Sequence, residues 1–277
     1  MKIAVITSFK EDCTEEDYLI AKAFAEDGHK VDLLDFPLNN SFENIYDVMI
    51  LKNAWDLSEK NYREYLKQLD LFLDRVRKSN VKIINSLDGE LKFDSLGKKV
   101  LVDLYKDGWN VIPTIDNMKD VALLPKVDTF IKKPYMSYDG FDMVEVKREN
   151  LASMVLNNEV LQPKMKFKSE VQLYFVNDEF QYALEYTPSK WPDYPTPHEI
   201  TPSQEQIEDA QRFVRKNAAT CSFNRIDYLR LEDDSLKVLE FADSNPHMAI
   251  TELSEKTRNK FLQNFKNAVY NYYSKCK

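Results

Sequence analysis

The chain has 277 residues, 43 % of them apolar and 30 % charged, with a net charge of −8 at neutral pH. That is enough apolar chain for more than one packed core. The acidic balance argues against nucleic acid, which wants a basic stripe, yet it leaves room for an anionic small ligand held by a local lysine cluster. Cys13, Cys221 and Cys276 are far apart and odd in number, so neither a disulfide framework nor a zinc pattern follows. The apolar start Met1 to Thr7 is followed at once by Lys10, Glu11 and Asp12, too short for a secretory signal. No run approaches the ~18 apolar residues of a membrane span. The expectation is a cytoplasmic protein.

The first third alternates strands and helices. Ile3 to Thr7 reads as a buried strand. Thr14 and Asp17 read as a capping box for a helix with Leu19, Ile20, Ala23 and Phe24 on one face, ended by Gly28. Val31 to Phe36 and Val48 to Leu51 are further strands. A helix bearing Tyr62, Tyr65, Leu66, Leu69, Phe72, Leu73 and Val76 follows, and Val81 to Ile84 is a fourth strand. This rhythm means a small parallel α/β layer. After Asn85 the pattern changes. Ser95 is placed to cap a helix carrying Val100, Leu101, Leu104 and Tyr105. Short strands are expected at Val111 to Thr114, Thr129 to Pro134, Met143 to Lys147 and Val160 to Met165. Val171 to Val176 and Phe180 to Tyr186 form a hairpin about Asn177-Asp178. Lys190 to Pro202, with four prolines, reads as a loop. Ser203 and Gln206 cap another helix. Phe223 to Leu231 and Leu236 to Phe241 make a second hairpin about Asp233-Asp234, and Ser254 to Tyr273 is a terminal helix.

Three groups of residues carry chemistry. Lys98 and Lys99 fall in the first turn of the helix after Ser95, where cations oppose the helix dipole unless an anion is held there. Lys132 and Lys133 are neighbours in one strand, so they point to opposite faces. One can face a cleft while the other faces solvent, or both can guard an edge strand. The turn from Tyr135 to Gly140, with Ser137, is placed to fold over phosphates. An even loop about Asp233-Asp234 puts Leu231 opposite Leu236 and Asp227 opposite Glu240. Like charges so placed repel unless a divalent cation sits between them, or unless they share a solvated face. Arg225 shares the face of Asp227, and Asp243 and Asn245 follow close behind Glu240.

In order, these pieces resemble the ATP-grasp superfamily of carboxylate–amine ligases. The matching run is a lysine-led helix and Pro113-Thr114, then Lys133-Pro134 with its loop to Gly140. Val160-Leu161-Gln162-Pro163-Lys164-Met165 with Glu170 follows, and last come Arg225-Ile226-Asp227 and Leu239-Glu240. Leu51-Lys52-Asn53-Ala54-Trp55-Asp56 looks like the strand-end Trp-Asp motif of the O-ureido-serine cyclo-ligase group. Ribosomal-protein glutamate ligases and glutathione synthetases are more distantly similar. The resemblance implies an α/β chain of α+β subdomains with an N-terminal parallel pre-ATP-grasp domain over 1–91. An ATP-grasp domain spans 92–277, with a lid at about 111–162. It implies ATP held by Lys98, Lys133, Ser137, Gly140, Gln162, Pro163, Lys164, Met165 and Glu170. Magnesium would be held by Asp227, Glu240 and Asn245, the acyl-phosphate steadied by Arg225, and substrate met by Trp55 and Asp56. The implied reaction joins the carboxylate of an amino acid or small peptide to an amine or similar nucleophile, giving ADP and phosphate. No nucleic-acid or membrane partner is expected, and a homodimer stays open. Two positions depart from the pattern: Ala242 stands where an asparagine is usual, and the phosphate loop has Gly140 as its one glycine. These departures keep two alternatives open, a nucleotide-binding partner protein without ligation and a small-molecule kinase on the same fold.

Overall fold

The computed structural model describes the chain except residues 8–14, 37, 39–40, 43–44, 53–66, 69–70, 87, 92–95, 137–142, 188–195, 243–246 and 276–277. Three sheets organise it. β1 (Lys2–Thr7), β2 (Lys30–Asp35), β3 (Val48–Leu51) and β4 (Lys82–Ile84) form a parallel sheet in the order β2-β1-β3-β4. Every β3 residue is buried, because both faces of this sheet are covered. Ile3, Val5, Val48, Ile50 and Ile84 face α1 (Glu15–Glu26) and the terminal helix. Ala4, Ile6, Met49, Leu51 and Ile83 pack against Phe36, Phe42, Phe72 and Val76. Gly28, at φ +82°, turns the chain out of α1, with the His29 amide reaching back to the Phe24 carbonyl at 3.3 Å.

The second sheet is antiparallel, in the order β10-β9-β8-β11-β12. Its strands are β8 (Phe167–Val176), β9 (Glu179–Tyr186), β10 (His198–Ile200), β11 (Phe223–Leu231) and β12 (Leu236–Ala242). One face buries Val171, Leu173, Phe175, Ile226, Tyr228, Val238 and Phe241 under α2 (Val100–Lys106) and α3 (Gln204–Asn217). Ser203 and Gln206 close both halves of the α3 capping box. The other face joins the core of the parallel sheet: Tyr174, Val176, Tyr182, Leu184 and Phe223 pack with Phe261, Phe265 and Val269 of α4 (Glu255–Lys275). The third sheet, β6-β5-β7, consists of β5 (Thr129–Pro134), β6 (Val144–Lys147) and β7 (Glu159–Pro163) around Phe130, Val146 and Leu161.

Four expectations change. Val111–Thr114 is not a strand: Val111 bridges Val238 of β12 and Ile115 bridges Leu161 of β7, so this segment links two sheets. Pro113 between the bridges has no amide to donate. The strand expected to reach Met165 ends at Pro163. The proline-rich stretch contains β10, a three-residue edge strand on β9. Finally, the second hairpin turns one residue differently: Arg230, not Leu231, faces Leu236, and Tyr228 faces Val238. The Asp227–Glu240 pairing survives because Leu239 is an extra residue in β12, a β-bulge. The two departures from the expected register cancel. Val238 and Phe241, three residues apart, consequently point to the same core.

Phe261 lies 5.3 Å from Tyr182, 5.4 Å from Phe223 and 6.0 Å from Phe265 between ring centroids, where two sheets share one core. Phe261→Ala is expected to cost about 3–5 kcal/mol. Urea unfolding followed by circular dichroism should show this as a lower midpoint in a single transition. A separate second transition would show that the two sheets do not share their stability.

Candidate active site

Arg225 and Asp227 alternate along β11 and so point to one side. The guanidinium clamps the carboxylate through both oxygens, Nε to Oδ1 at 2.8 Å and Nη2 to Oδ2 at 2.9 Å. Its Nη1 donates to the His247 carbonyl at 3.3 Å. In the ladder, Asp227 stands between Gln172 of β8 and Glu240 of β12. Without the bulge, Glu240 would face Ile226 and the core; with it, the carboxylate joins the side of Asp227. Glu170, two residues before Gln172, completes the row and faces Tyr186 of β9.

A second group approaches from the three-stranded sheet. Alternation separates the two β5 lysines. The Lys132 ammonium pairs with Glu159 at 2.6 Å. Lys133 instead feels Lys98, Glu240 and Glu170. Lys98 is buried in a 3₁₀ turn, Gly97–Lys99, that leads into α2, and its amide donates to the Tyr135 carbonyl at 2.8 Å. Gly97 makes that approach possible: it has φ +55°, and a Cβ there would lie 2.3 Å from the Tyr135 oxygen. Lys98 and Lys133, 35 residues apart in sequence, are thus neighbours.

Electrostatics of the cleft are unusual. Burial and the charge of Lys98 bring Lys133 down to about 8, against the pull of Glu240 and Glu170. Burial, Asp227 and Glu240 raise the Glu170 carboxyl, outweighing Lys133 and Arg225. Burial opposes the charge on Arg225, but Asp227 more than restores it, and the net direction is up. The repulsion expected between Asp227 and Glu240 is therefore met in part by Arg225. Two lysines close to a group of carboxylates are a charge arrangement suited to a polyanion accompanied by a divalent cation. Carboxylate oxygens are hard donors that suit a divalent cation, so the chemistry of Asp227 and Glu240 fits one. Among the described residues no three carboxylate, imidazole or thiol groups are gathered tightly enough to hold a metal by themselves.

The remaining expected residues divide. The buried Gln162 amide donates to Thr114 Oγ1 at 3.0 Å, in the segment that links the sheets. Pro163 is buried against Phe130 in the ladder. The Lys164 ammonium sits on Glu145 and its amide donates to the Thr129 carbonyl at 3.0 Å. Met165 is half-buried. Ser137, Gly140, Asn245, Trp55 and Asp56 lie outside the described residues. Sequence reasoning missed Gln172, whose Oε1 accepts from Tyr174 at 2.6 Å, and Tyr186, pushed up to about 12 by burial beside Arg225. Period-2 alternation from Glu170 was the available signal for Gln172. It also missed Glu16 and Lys52, a buried ion pair at the carboxyl edge of the parallel sheet.

No family model matches the chain, and no curated protein sequence matches it. Solved structures do. D-cycloserine synthetase DcsG superposes with a TM-score of 0.73 at 19 % identity, over 100 % of both chains. The chain has the ATP-grasp fold. ATP-grasp ligase PsnB, solved with a minimal precursor, Mg and ADP, gives 0.64 at 14 % identity over 96 % of each chain. Macrocyclase MdnC from Microcystis aeruginosa MRC, bound with precursor peptide MdnA, gives 0.64 at 11 %, over 96 % of this chain and 99 % of that one. Within the described residues no helix is long and apolar enough to cross a membrane.

Lys133 links the cleft to pH. Its proton affinity is lower folded than unfolded, so the folded protein carries the cost of that charge in full below about 8. Between about 8 and 10.5 the folded state has lost a proton that the unfolded chain keeps, and stability rises with pH. Anion binding beside Lys98 and Lys133 should take up protons near pH 8. Calorimetry with a non-hydrolysable ATP analogue, in buffers of different ionisation enthalpy, should show this uptake. Lys133→Ala should abolish it and weaken binding far more than Lys132→Ala. Equal losses in the two variants would place the anion elsewhere.

Proposed function

We propose that the chain is an ATP-dependent ligase that joins a carboxylate to an amine or similar nucleophile through an acyl-phosphate. One observation supports this above the rest: on an ATP-grasp fold, the buried Lys98 and the half-buried Lys133, from separate segments, lie near a row of carboxylates and a clamped arginine. Lys98 and Lys133 would take the nucleotide phosphates, the 160–165 segment would meet the adenine, partly through backbone groups, and Glu170 would take the ribose. Asp227 and Glu240, joined by Asn245, would hold magnesium, which neutralises phosphate charge when bound. Arg225 would stabilise the negative oxygens that develop as carboxylate attacks phosphorus and as the nucleophile then attacks the acyl carbon. Such chemistry asks a protein chiefly for positioning and charge neutralisation. The small sheet, in the proposed lid at about 111–162, would close over the acyl-phosphate and exclude water. The N-terminal domain, 1–91, would contribute Trp55 and Asp56 to the substrate site.

The acid in this reading is an amino acid or small peptide. The structural neighbours include a D-cycloserine synthetase, an ATP-grasp ligase solved with a minimal precursor and a macrocyclase bound with a precursor peptide, so both amino acids and peptides belong in the substrate panel. A cytoplasmic location is part of the proposal. Ala242 supports a second reading, a nucleotide-binding partner without ligation. It lies opposite Arg225 in the ladder and has no side-chain oxygen to offer a metal.

Screening amino acids, dipeptides and longer peptides for acid-dependent ADP release, with mass spectrometry of products, separates the two. A stable phosphate ester as product would instead mark a kinase. With an active acid in hand, Glu240→Gln is expected to remove at least about a hundredfold of magnesium-dependent turnover, with unchanged circular dichroism. Near-normal turnover would overturn the metal assignment.

A further inference from the structure

The buried pair Glu16–Lys52 has no place in the chemistry above. Glu16 lies in the first turn of α1 and Lys52 directly after β3, and both side chains are almost wholly out of solvent. The Lys52 amide donates to the Ile6 carbonyl at 2.8 Å, fixing it beside the end of β1. This is the crevice where the connections of the parallel sheet part, β2 lying on one side of β1 and β3 on the other. Thr7 closes it by donating to Asp17 at 2.7 Å.

From this crevice a continuous set of contacts runs to Arg225. Glu16 Oε1 takes Lys52 and also the Met248 amide, at 3.1 Å. Glu16 Oε2 lies 3.8 Å from His247 Nε2. The Met248 carbonyl accepts from the Tyr182 hydroxyl at 2.5 Å. The adjoining carbonyl, that of His247, receives Arg225 Nη1. Residues 247 and 248 are thus held by Glu16 on one side and Tyr182 on the other, and Ala249 turns away at φ +48°. Burial works against the Glu16 charge, but Lys52 and His247 outweigh it and hold the carboxyl below its ordinary range. Stability alone is a poor reason for such a pair, because apolar replacements of buried ion pairs are often neutral or stabilising.

We infer that Glu16, braced by Lys52, is a positioning residue that sets the Arg225 guanidinium through the His247–Met248 backbone, tying the N-terminal sheet to the reacting centre. The inference rests on the ligase reading for its catalytic consequence, but its structural content stands apart from it. Two double variants separate acceptor from charge. Lys52→Met with Glu16→Leu removes both charges and the acceptor for the Met248 amide. Lys52→Met with Glu16→Gln removes both charges and keeps an acceptor. The readouts are the Arg225 guanidinium N–H resonance, assigned by its loss in Arg225→Lys, together with hydrogen exchange at the Met248 amide, nucleotide affinity and turnover. In the leucine variant the resonance should move or broaden and Met248 should exchange faster. Turnover should fall about ten- to hundredfold, the scale of a small misplacement, with nucleotide affinity unchanged. The glutamine variant should restore all of these. If the leucine variant does not fold, Lys52→Met with Glu16→Asp, which withdraws the carboxylate from Met248, carries the same readouts and the same expected direction as the leucine variant. An Arg225 resonance that stays put in the folded leucine variant, or in the aspartate variant that replaces it, overturns the inference. If no acid elicits turnover from the native chain, the ligase reading falls while the resonance still decides the positioning role.

Discussion

Glu240 reaches the side of Asp227 because β12 carries one more residue than β11 between the hairpin tip and the acidic row. Antiparallel pairing with strict alternation from Val238 would send its carboxylate into the core opposite Ile226, where an ion is costly. The Leu239 bulge resets the alternation between Val238 and Glu240. That allows the tip half of β12 and the site half to bury Val238 and Phe241 on one face while showing Glu240 on the other. The acidic row Glu170, Asp227, Glu240 depends on it, and so does the field that raises Glu170 and tempers the fall of Lys133.

Much of the fold was legible in the sequence because its elements obey local rules. β3 is a run of four apolar residues, and Gly28 and Ser203 punctuate their helices as their types require. The separation of Lys132 from Lys133 followed from the pleat alone. Elements fixed by distant partners were harder to read. Val111–Thr114 has the composition of a strand, but two isolated bridges to two different sheets claim it. β10 is three residues long and exists because β9 offers an open edge. The bulge could not be read from the Asp233-Asp234 turn, since a shifted turn and a bulge leave the same Asp227–Glu240 pairing.

The site divides in the same way. Asp227, Glu240 and Arg225 lie within sixteen residues of one another on one hairpin, so spacing brings them together. Lys98 and Lys133 meet only through the tertiary approach of the 3₁₀ turn to Tyr135, which Gly97 permits. Lys52 was read as part of a strand-end motif, and Glu16 was given no role. Neither residue type signals that the two are paired, because the pairing depends on β1 and β3 being neighbours in a sheet whose order is not the chain order.

These features bear on how an acid and a nucleotide would be brought together. Lys133 stands on the small sheet, whereas Lys98, in the turn that leads into α2, stands with the carboxylates and Arg225 on the body of the large antiparallel sheet. The parallel sheet, which would receive substrate, shares a continuous apolar core with the large sheet. It touches Arg225 through the buried ion pair as well. Relative motion is therefore cheapest at 110–115, held to the large sheet by Val111 and to the small one by Ile115. A hinge there would move Lys133 toward or away from Lys98 and the acidic row without disturbing Asp227, Arg225 or the His247–Met248 backbone. Charge supplies the bias: the two lysines repel each other, and a phosphate chain between them and the cation site would replace that repulsion by attraction on both sides of the cleft. Closure and anion binding would thus be favoured by the same charges.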